Sequence, residues 1–88
     1  MISKELEIQN KLGLHARVAA LIVQTLNKFQ SETYLIKDGE RVNGKSIMGV
    51  LMLAATKGSK IKVEIEGEDA DKAMKAFEDL INSKFGEE

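Results

Sequence analysis

Apolar and polar residues alternate over residues 2–8 and again over residues 60–66, a period that is typical of strands with one buried face. Between them, residues 32–37 are rich in β-forming side chains. The dipeptide Asp38-Gly39 that follows is a strong hairpin signal and leads into a short strand ending at Val42. The pattern therefore predicts four strands.

Three other segments carry apolar residues at helical spacing. The first covers residues 16–29 and has one continuous apolar face. The second, residues 46–53, is short and almost wholly apolar, and Ser46 is its expected N-cap. The third covers residues 70–85, with Asp69 as the expected cap.

The predicted order of elements is β-α-β-β-α-β-α in a single domain over residues 1–88. Strands with one apolar face need helices on that side only, which indicates an α+β, two-layer, open-faced sandwich. The other face of the sheet is expected to lie in water, since it carries the charged side chains Lys60, Lys62, Glu64 and Glu66.

Composition and charge exclude several classes of function. The formal net charge is -1 and lysines are interleaved with glutamates, whereas a nucleic-acid-binding domain usually carries a basic excess. There is no cysteine, no phosphate-binding glycine-rich motif and no apolar run near the ~20 residues that cross a bilayer. The polar opening Met1 to Glu5 is unlike a signal peptide. We expect a cytoplasmic protein without cofactor or membrane insertion.

His15 is the only histidine, and a single histidine is more often a surface or structural residue than a reactive one. Its neighbours favour chemistry. Gly13 precedes it in a loop, a helix is predicted to begin directly after it, and Arg17 follows. Unpaired N–H groups at a helix start attract anions, and a guanidinium matches phosphate oxygens. This arrangement predicts a nucleophile beside a phosphate site. A metal site is not expected, because no second histidine or cysteine could join His15.

Ser46 is a second candidate, although a plain helix N-cap would also account for it. The residues after it are so uniformly apolar that one short helix is not expected to bury them all. We expect some of Ile47, Met48 and Leu51 to face solvent as a partner-binding patch, while a purely structural role in the core stays open. A phosphate on Ser46 would place a charge of about −1.5 to −2 beside this patch.

Two motifs together carry a resemblance to a known family. They are Gly13-Leu14-His15-Ala16-Arg17 and the run from Asn43 to Val50, which contains Ser46. With these motifs, its length and its order of elements, the chain resembles HPr, the histidine-containing phosphocarrier family of the bacterial phosphoenolpyruvate-dependent sugar phosphotransferase system. The family fold is a four-stranded antiparallel sheet covered by three helices.

The resemblance implies a carrier and not an enzyme. His15 would accept a phosphoryl group on Nδ1 from Enzyme I and pass it to the sugar-specific A domains of permeases, with Arg17 steadying the group. Ser46 would be the target of an HPr kinase/phosphorylase, and phosphorylated Ser46 would slow charging by Enzyme I and favour binding to the catabolite control protein. A monomer is the simplest expectation for such a carrier.

Two positions depart from the family pattern. Val18 stands where the family usually has proline, at an expected loss of preorganisation of ~0.4–1 kcal/mol. Leu12 replaces a small polar residue. An alternative is a regulatory protein similar to Crh, acting mainly through Ser46 in carbon catabolite repression; that protein lacks the active histidine, so His15 and Arg17 favour the carrier.

Overall fold

Four strands and three α-helices follow one another in the predicted order in the computed structural model, which describes residues 1–87. The strands are β1 (Ile2–Glu7), β2 (Glu32–Lys37), β3 (Glu40–Asn43) and β4 (Lys60–Glu66). The helices are α1 (Ala16–Leu26), α2 (Ile47–Met52) and α3 (Ala70–Asn82), and a 3₁₀ turn follows at Lys84–Gly86.

The strands form one sheet in the order β1-β4-β2-β3, and every pairing is antiparallel. Along β4, the side chains of Ile61, Val63 and Ile65 are fully buried against the helices, whereas those of Lys60, Lys62 and Glu66 on the other face are exposed. Glu64 was expected in water as well but is half-buried, because its carboxylate lies between Arg41 and Lys62, 3.5 Å from each. The apolar residues of the alternating pattern therefore face the core, and the polar residues face the other side of the sheet. The predicted α+β sandwich is confirmed.

The core lies between the sheet and the helices. Ile22 and Leu26 of α1, Phe77 of α3 and Leu35 of β2 are each 0% exposed. Burying a side chain of this size contributes about 1.5–3 kcal/mol, so these contacts fix the helices against the sheet. Within residues 1–87, no helix is both long and apolar enough to cross a bilayer.

Two helices end earlier than the apolar spacing predicts. The first ends at Leu26, and Phe29 lies beyond it in a half-buried turn. The third ends at Asn82, and Phe85 belongs to the 3₁₀ turn, where Lys84 and Phe85 have φ of +56° and +55°. Phe85 is nevertheless 1% exposed, because this left-handed turn folds its ring into the core. The pattern of apolar residues in the sequence predicts correctly that Phe85 is buried. It does not predict the backbone conformation at that residue.

Asp69 does not cap α3 with its side chain, contrary to the sequence-based expectation. Its carboxylate instead accepts hydrogen bonds from the N–H of Gln30 at 2.9 Å, the N–H of Ser31 at 3.0 Å and the Ser31 hydroxyl. The Ser31 hydroxyl, followed by the Gln30 N–H, lowers the pKa of this carboxyl group. Asp69 therefore ties the α1–β2 connection to the start of α3.

Candidate functional site

The loop that carries His15 is pinned at both ends. Gly13 has φ of +71° and accepts a hydrogen bond from the Asn10 side chain at 2.8 Å through its carbonyl oxygen. The next residue, Leu14, is 6% exposed and donates its N–H to the Ala55 carbonyl oxygen at 3.0 Å. Hydrogen bonds to Asn10 and Ala55 therefore fix the loop, and with it the position of His15 on the surface.

His15 occupies the N-cap position of α1, as the sequence predicts. Its backbone is extended, and its carbonyl oxygen accepts the first helical hydrogen bond from Ala19 at 2.8 Å. The N–H groups of residues 16–18 precede that bond and face the open end of the helix. The His15 side chain makes no capping hydrogen bond, so it leaves the N–H groups at the helix start available to an anion.

A carboxylate that the sequence did not predict meets both candidate residues. The Glu87 Oε2 atom lies 2.5 Å from His15 Nε2 and 2.6 Å from Arg17 Nη2. The other oxygen, Oε1, accepts a hydrogen bond from Asn10 Nδ2 at 2.9 Å. The side chain of Glu87 is only 14% exposed, against 30% for His15 and 60% for Arg17. The site therefore comprises a nucleophile, a cation and a carboxylate drawn from two distant parts of the chain.

These contacts keep Glu87 ionised. The hydrogen bond from Asn10 is the largest cause, and the hydrogen bonds with His15 and Arg17 act in the same direction, while burial opposes them. Together they lower the pKa of Glu87 from 4.5 to about 2. An ionised carboxylate can only accept hydrogen bonds, so the contact with His15 requires a hydrogen on Nε2.

The lowered pKa of Glu87 predicts an acid-dependent contribution to stability. The ionised group stabilises the folded chain fully above pH 4.5, and this contribution disappears as the pH falls toward about 2. The difference in free energy of unfolding between the wild type and Glu87→Ala should therefore shrink across that window. Urea unfolding at a series of pH values measures it, and a difference that stays constant would contradict the assignment.

Ser46 is the N-cap of α2, as predicted. Its hydroxyl oxygen accepts a hydrogen bond from the Gly49 N–H at 3.0 Å, and its carbonyl accepts from Val50 at 2.9 Å. The residue is half-buried. A charged group at this position would meet the N–H groups of the helix start, which favours it electrostatically, and would lie next to the side chains of Ile47 and Met48.

The apolar residues of α2 divide between the core and the surface. Ile47 is 44% and Met48 is 68% exposed, as expected, whereas Leu51 is half-buried and packs against the core. Met52, which sequence reasoning did not single out, is 61% exposed. Because α2 packs against α1, these side chains lie on the helical side of the molecule, away from the outer face of the sheet.

The two departures from the family pattern have different environments. Val18 is 0% exposed and belongs to the core, so its side chain packs where it cannot meet a partner. Leu12 is 69% exposed in the loop before His15. Leu12 is therefore an apolar side chain displayed next to the candidate site.

His15, Arg17 and Ser46 lie in a segment of the chain that matches a known protein family. A family model described as "PTS HPr component phosphorylation site" matches residues 2–83. The chain belongs to the HPr family. The phosphocarrier protein HPr of Neisseria meningitidis serogroup A is 53% identical over 87 residues, which cover 99% of this chain and 98% of that protein.

Solved structures and a second group of relatives agree with HPr membership. The crystal structure of HPr-C-His from Thermoanaerobacter tengcongensis matches with a TM-score of 0.96 at 52% identity, covering 100% of this chain and 99% of that one. The HPr-like protein Crh of Halalkalibacterium halodurans is 50% identical over 77 residues, covering 88% of this chain and 92% of that protein. As an HPr protein, the chain is a phosphocarrier of the phosphotransferase system and not a catalyst.

The residues matched by the HPr family model contain His15, Arg17 and Ser46 but end before Glu87. No periodicity or motif in the sequence points to Glu87, which lies 72 positions from His15. The contact becomes visible only once the 3₁₀ turn at Lys84–Gly86 is known.

Proposed function

We propose that this HPr protein accepts a phosphoryl group on Nδ1 of His15 and passes it to a second protein. The observation that carries the proposal is the position of the imidazole, partly exposed at the N-terminus of α1 and joined to Arg17 through one carboxylate oxygen. Within residues 1–87, Nε2 is engaged by Glu87 and Nδ1 makes no hydrogen bond. The nitrogen that is free to attack phosphorus is therefore Nδ1.

The donor in this proposal is the phosphohistidine of Enzyme I, and the acceptors are the A domains of sugar permeases. The lone pair of Nδ1 attacks phosphorus as the phosphorus–nitrogen bond to the donor breaks, and the bonding electrons return to the donor nitrogen. We propose that the N–H groups at the start of α1 and the guanidinium of Arg17 bind the phosphoryl oxygens. A carrier that visits several partners works free in the cytoplasm.

The partners are proposed to dock on the exposed apolar side chains of α2 and of the loop before His15. Ile47 and Met48 form the centre of this surface, and Leu51 supports them from the core side. We assign to the same docking surface Met52 of α2 and Leu12 in the loop before His15, which are also exposed apolar side chains. Methionine is flexible enough to fit partners of different shape, which suits a protein that meets both a donor and several acceptors.

A transfer assay tests the proposal. The protein is incubated with excess phosphoenolpyruvate and a trace of Enzyme I, and intact mass is measured before and after an A domain is added. We expect one acid-labile phosphoryl group per chain, its loss to the A domain, and no uptake by His15→Ala. Uptake by His15→Ala, or a folded wild-type chain that takes up nothing, would contradict the proposal.

Ser46 is proposed as a regulatory phosphorylation site, the target of an HPr kinase/phosphorylase, whose product binds the catabolite control protein. The half-buried hydroxyl caps α2 and lies beside the exposed Ile47 and Met48. A phosphate there would be stabilised by the helix start while it makes the neighbouring apolar surface unfavourable for Enzyme I. Regulation would act on docking and not on folding.

The variant Ser46→Asp is expected to weaken docking of Enzyme I while the fold is retained. Aspartate is as good an N-cap as serine, so stability should change little, whereas the new charge should raise KM for the carrier roughly tenfold, or about 1.4 kcal/mol. Charging rate measured against carrier concentration gives KM. Ser3→Asp, on the exposed β1, is the charge-matched control and should leave KM unchanged. Equal KM values for Ser46→Asp and Ser3→Asp would show that Ser46 does not belong to the surface on which Enzyme I docks.

The similarity to Crh supports a second candidate function, a regulatory protein that acts mainly through Ser46. Labelling by Enzyme I with phosphoenolpyruvate and, separately, by an HPr kinase with ATP distinguishes the two functions. A chain that is labelled efficiently at Ser46 by the kinase but never at His15 by Enzyme I would be the regulator. The presence of both His15 and Arg17 favours the carrier.

A further inference from the structure

The segment that follows α3 turns back toward His15. Phe85 anchors it, with its ring 1% exposed in the core, and the left-handed backbone at Lys84 and Phe85 turns the chain back. The N–H of Gly86 bonds to the Ser83 carbonyl at 3.0 Å, and that of Glu87 to the Lys84 carbonyl at 2.9 Å. The Glu87 carboxylate is thus placed at the site by packing and by backbone hydrogen bonds.

The carboxylate is held by three donors, each at short distance. Its Oε1 atom accepts from Asn10 Nδ2, and its Oε2 atom is shared by His15 Nε2 and Arg17 Nη2. Asn10 is itself 0% exposed and fixed by its second bond to the Gly13 carbonyl, so the loop, the carboxylate and the imidazole form one connected unit. Within the part of the chain that the structure describes, residues 1–87, Arg17 uses Nη2 for this bond, and its other N–H donors can bind a phosphoryl group.

We propose that Glu87 is a positioning residue for phosphoryl transfer, which holds the proton of His15 on Nε2 and stabilises the positive charge that the ring acquires when Nδ1 is phosphorylated. This inference rests on the proposed function of His15. It adds a residue outside the matched family segment to the machinery of transfer.

Phosphorylation of Nδ1 gives the His15 ring a positive charge, which a carboxylate at Nε2 can stabilise. Before transfer the neutral ring carries its hydrogen on Nε2 and a lone pair on Nδ1. When the bond from Nδ1 to phosphorus forms and the donor's bond breaks, no proton leaves His15, so the ring becomes substituted on one nitrogen and protonated on the other. The resulting positive charge faces the Glu87 carboxylate. In the onward step the protonated ring is the better leaving group, and it returns to the same neutral form.

An NMR measurement on the unphosphorylated protein tests the contact itself. In the wild type we expect a resolved, slowly exchanging resonance from the His15 Nε2 proton, detected with ¹⁵N-labelled histidine. Glu87→Ala should lose this resonance, while Glu66→Ala, which removes a charge at the far end of β4, should keep it. Persistence of the resonance in Glu87→Ala would overturn the inference, whether or not Enzyme I phosphorylates the protein.

A kinetic measurement tests the consequence. Glu87→Ala is expected to accept the phosphoryl group from Enzyme I about tenfold more slowly at saturating carrier, with KM unchanged, because the docking surface is untouched. Glu66→Ala should transfer at the wild-type rate. An unchanged or faster rate for Glu87→Ala would overturn the inference and would indicate that the carboxylate is idle or competes with phosphate for Arg17. Absence of transfer in the wild type would instead contradict the proposed function.

Discussion

Replacing Gly13 with alanine is expected to lower the free energy of unfolding by about 2–5 kcal/mol, the sum of a left-handed backbone and an overpacked contact. Gly13 has φ of +71°, and a Cβ atom there would meet the Ala55 carbonyl oxygen and lie 2.9 Å from Thr56 Cα. Both obstacles are backbone atoms that cannot turn aside. Ala55 also receives the hydrogen bond from Leu14, so relief of the clash would move the loop that carries His15.

Gly39→Ala separates the two causes. Gly39 has φ of +82° in the β2–β3 hairpin, and a Cβ there meets nothing within 4 Å, so only the backbone cost of ~1–2 kcal/mol is expected. Urea unfolding measures both variants. Gly13→Ala should also slow phosphoryl transfer, since displacement of a reacting group by ~1 Å can cost about 100-fold. Equal losses of stability in the two variants would show that the close approach to Ala55 does not constrain the loop.

Replacing Arg17 with alanine is expected to slow phosphoryl transfer roughly 10- to 100-fold while the fold stays intact. The side chain is 60% exposed and takes no part in the core, so its loss should not change stability strongly. A hydrogen bond to a charged group contributes about 1.5–3 kcal/mol, and each 1.4 kcal/mol is a factor of ten in rate. Screening by water places the effect at an exposed guanidinium toward the lower end.

Arg41→Ala is the matched control, because Arg41 is the other arginine of the chain. It lies on β3, with its guanidinium 3.8 Å from the centre of the Tyr34 ring and 3.5 Å from Glu64. Its removal changes the net charge equally but leaves the site alone. Rapid-quench measurement of transfer from Enzyme I compares the two variants. Wild-type rates in Arg17→Ala would mean that the helix N–H groups hold the phosphoryl group without the guanidinium.

The parts of the site that could be predicted from the sequence depend on neighbours in the chain. His15 at the start of α1 and Ser46 as the cap of α2 follow from capping and helical spacing, which act within one turn. The exposure of Met48 follows from the same reasoning, because a helix of six residues cannot bury all its sides.

The parts that could not be predicted depend on contacts between distant residues. Glu87 reaches His15 across 72 positions, and Asp69 turns from its own helix to bind Ser31 across 38. The helical spacing of Phe85 from Ile81 predicts that Phe85 lies in α3, because spacing contains no information about the left-handed turn that buries it. In each case the contact depends on the tertiary structure. A short-range sequence pattern does not show which distant side chains will meet.

Whether Nδ1 of His15 carries the phosphoryl group is tested most directly by the ³¹P–¹⁵N coupling in protein labelled with ¹⁵N-histidine and charged by Enzyme I and phosphoenolpyruvate. We expect phosphorus to couple to Nδ1, with the proton remaining on Nε2 beside Glu87. Coupling to Nε2, or a stable phosphoryl group on any residue other than His15, would contradict phosphorylation at Nδ1.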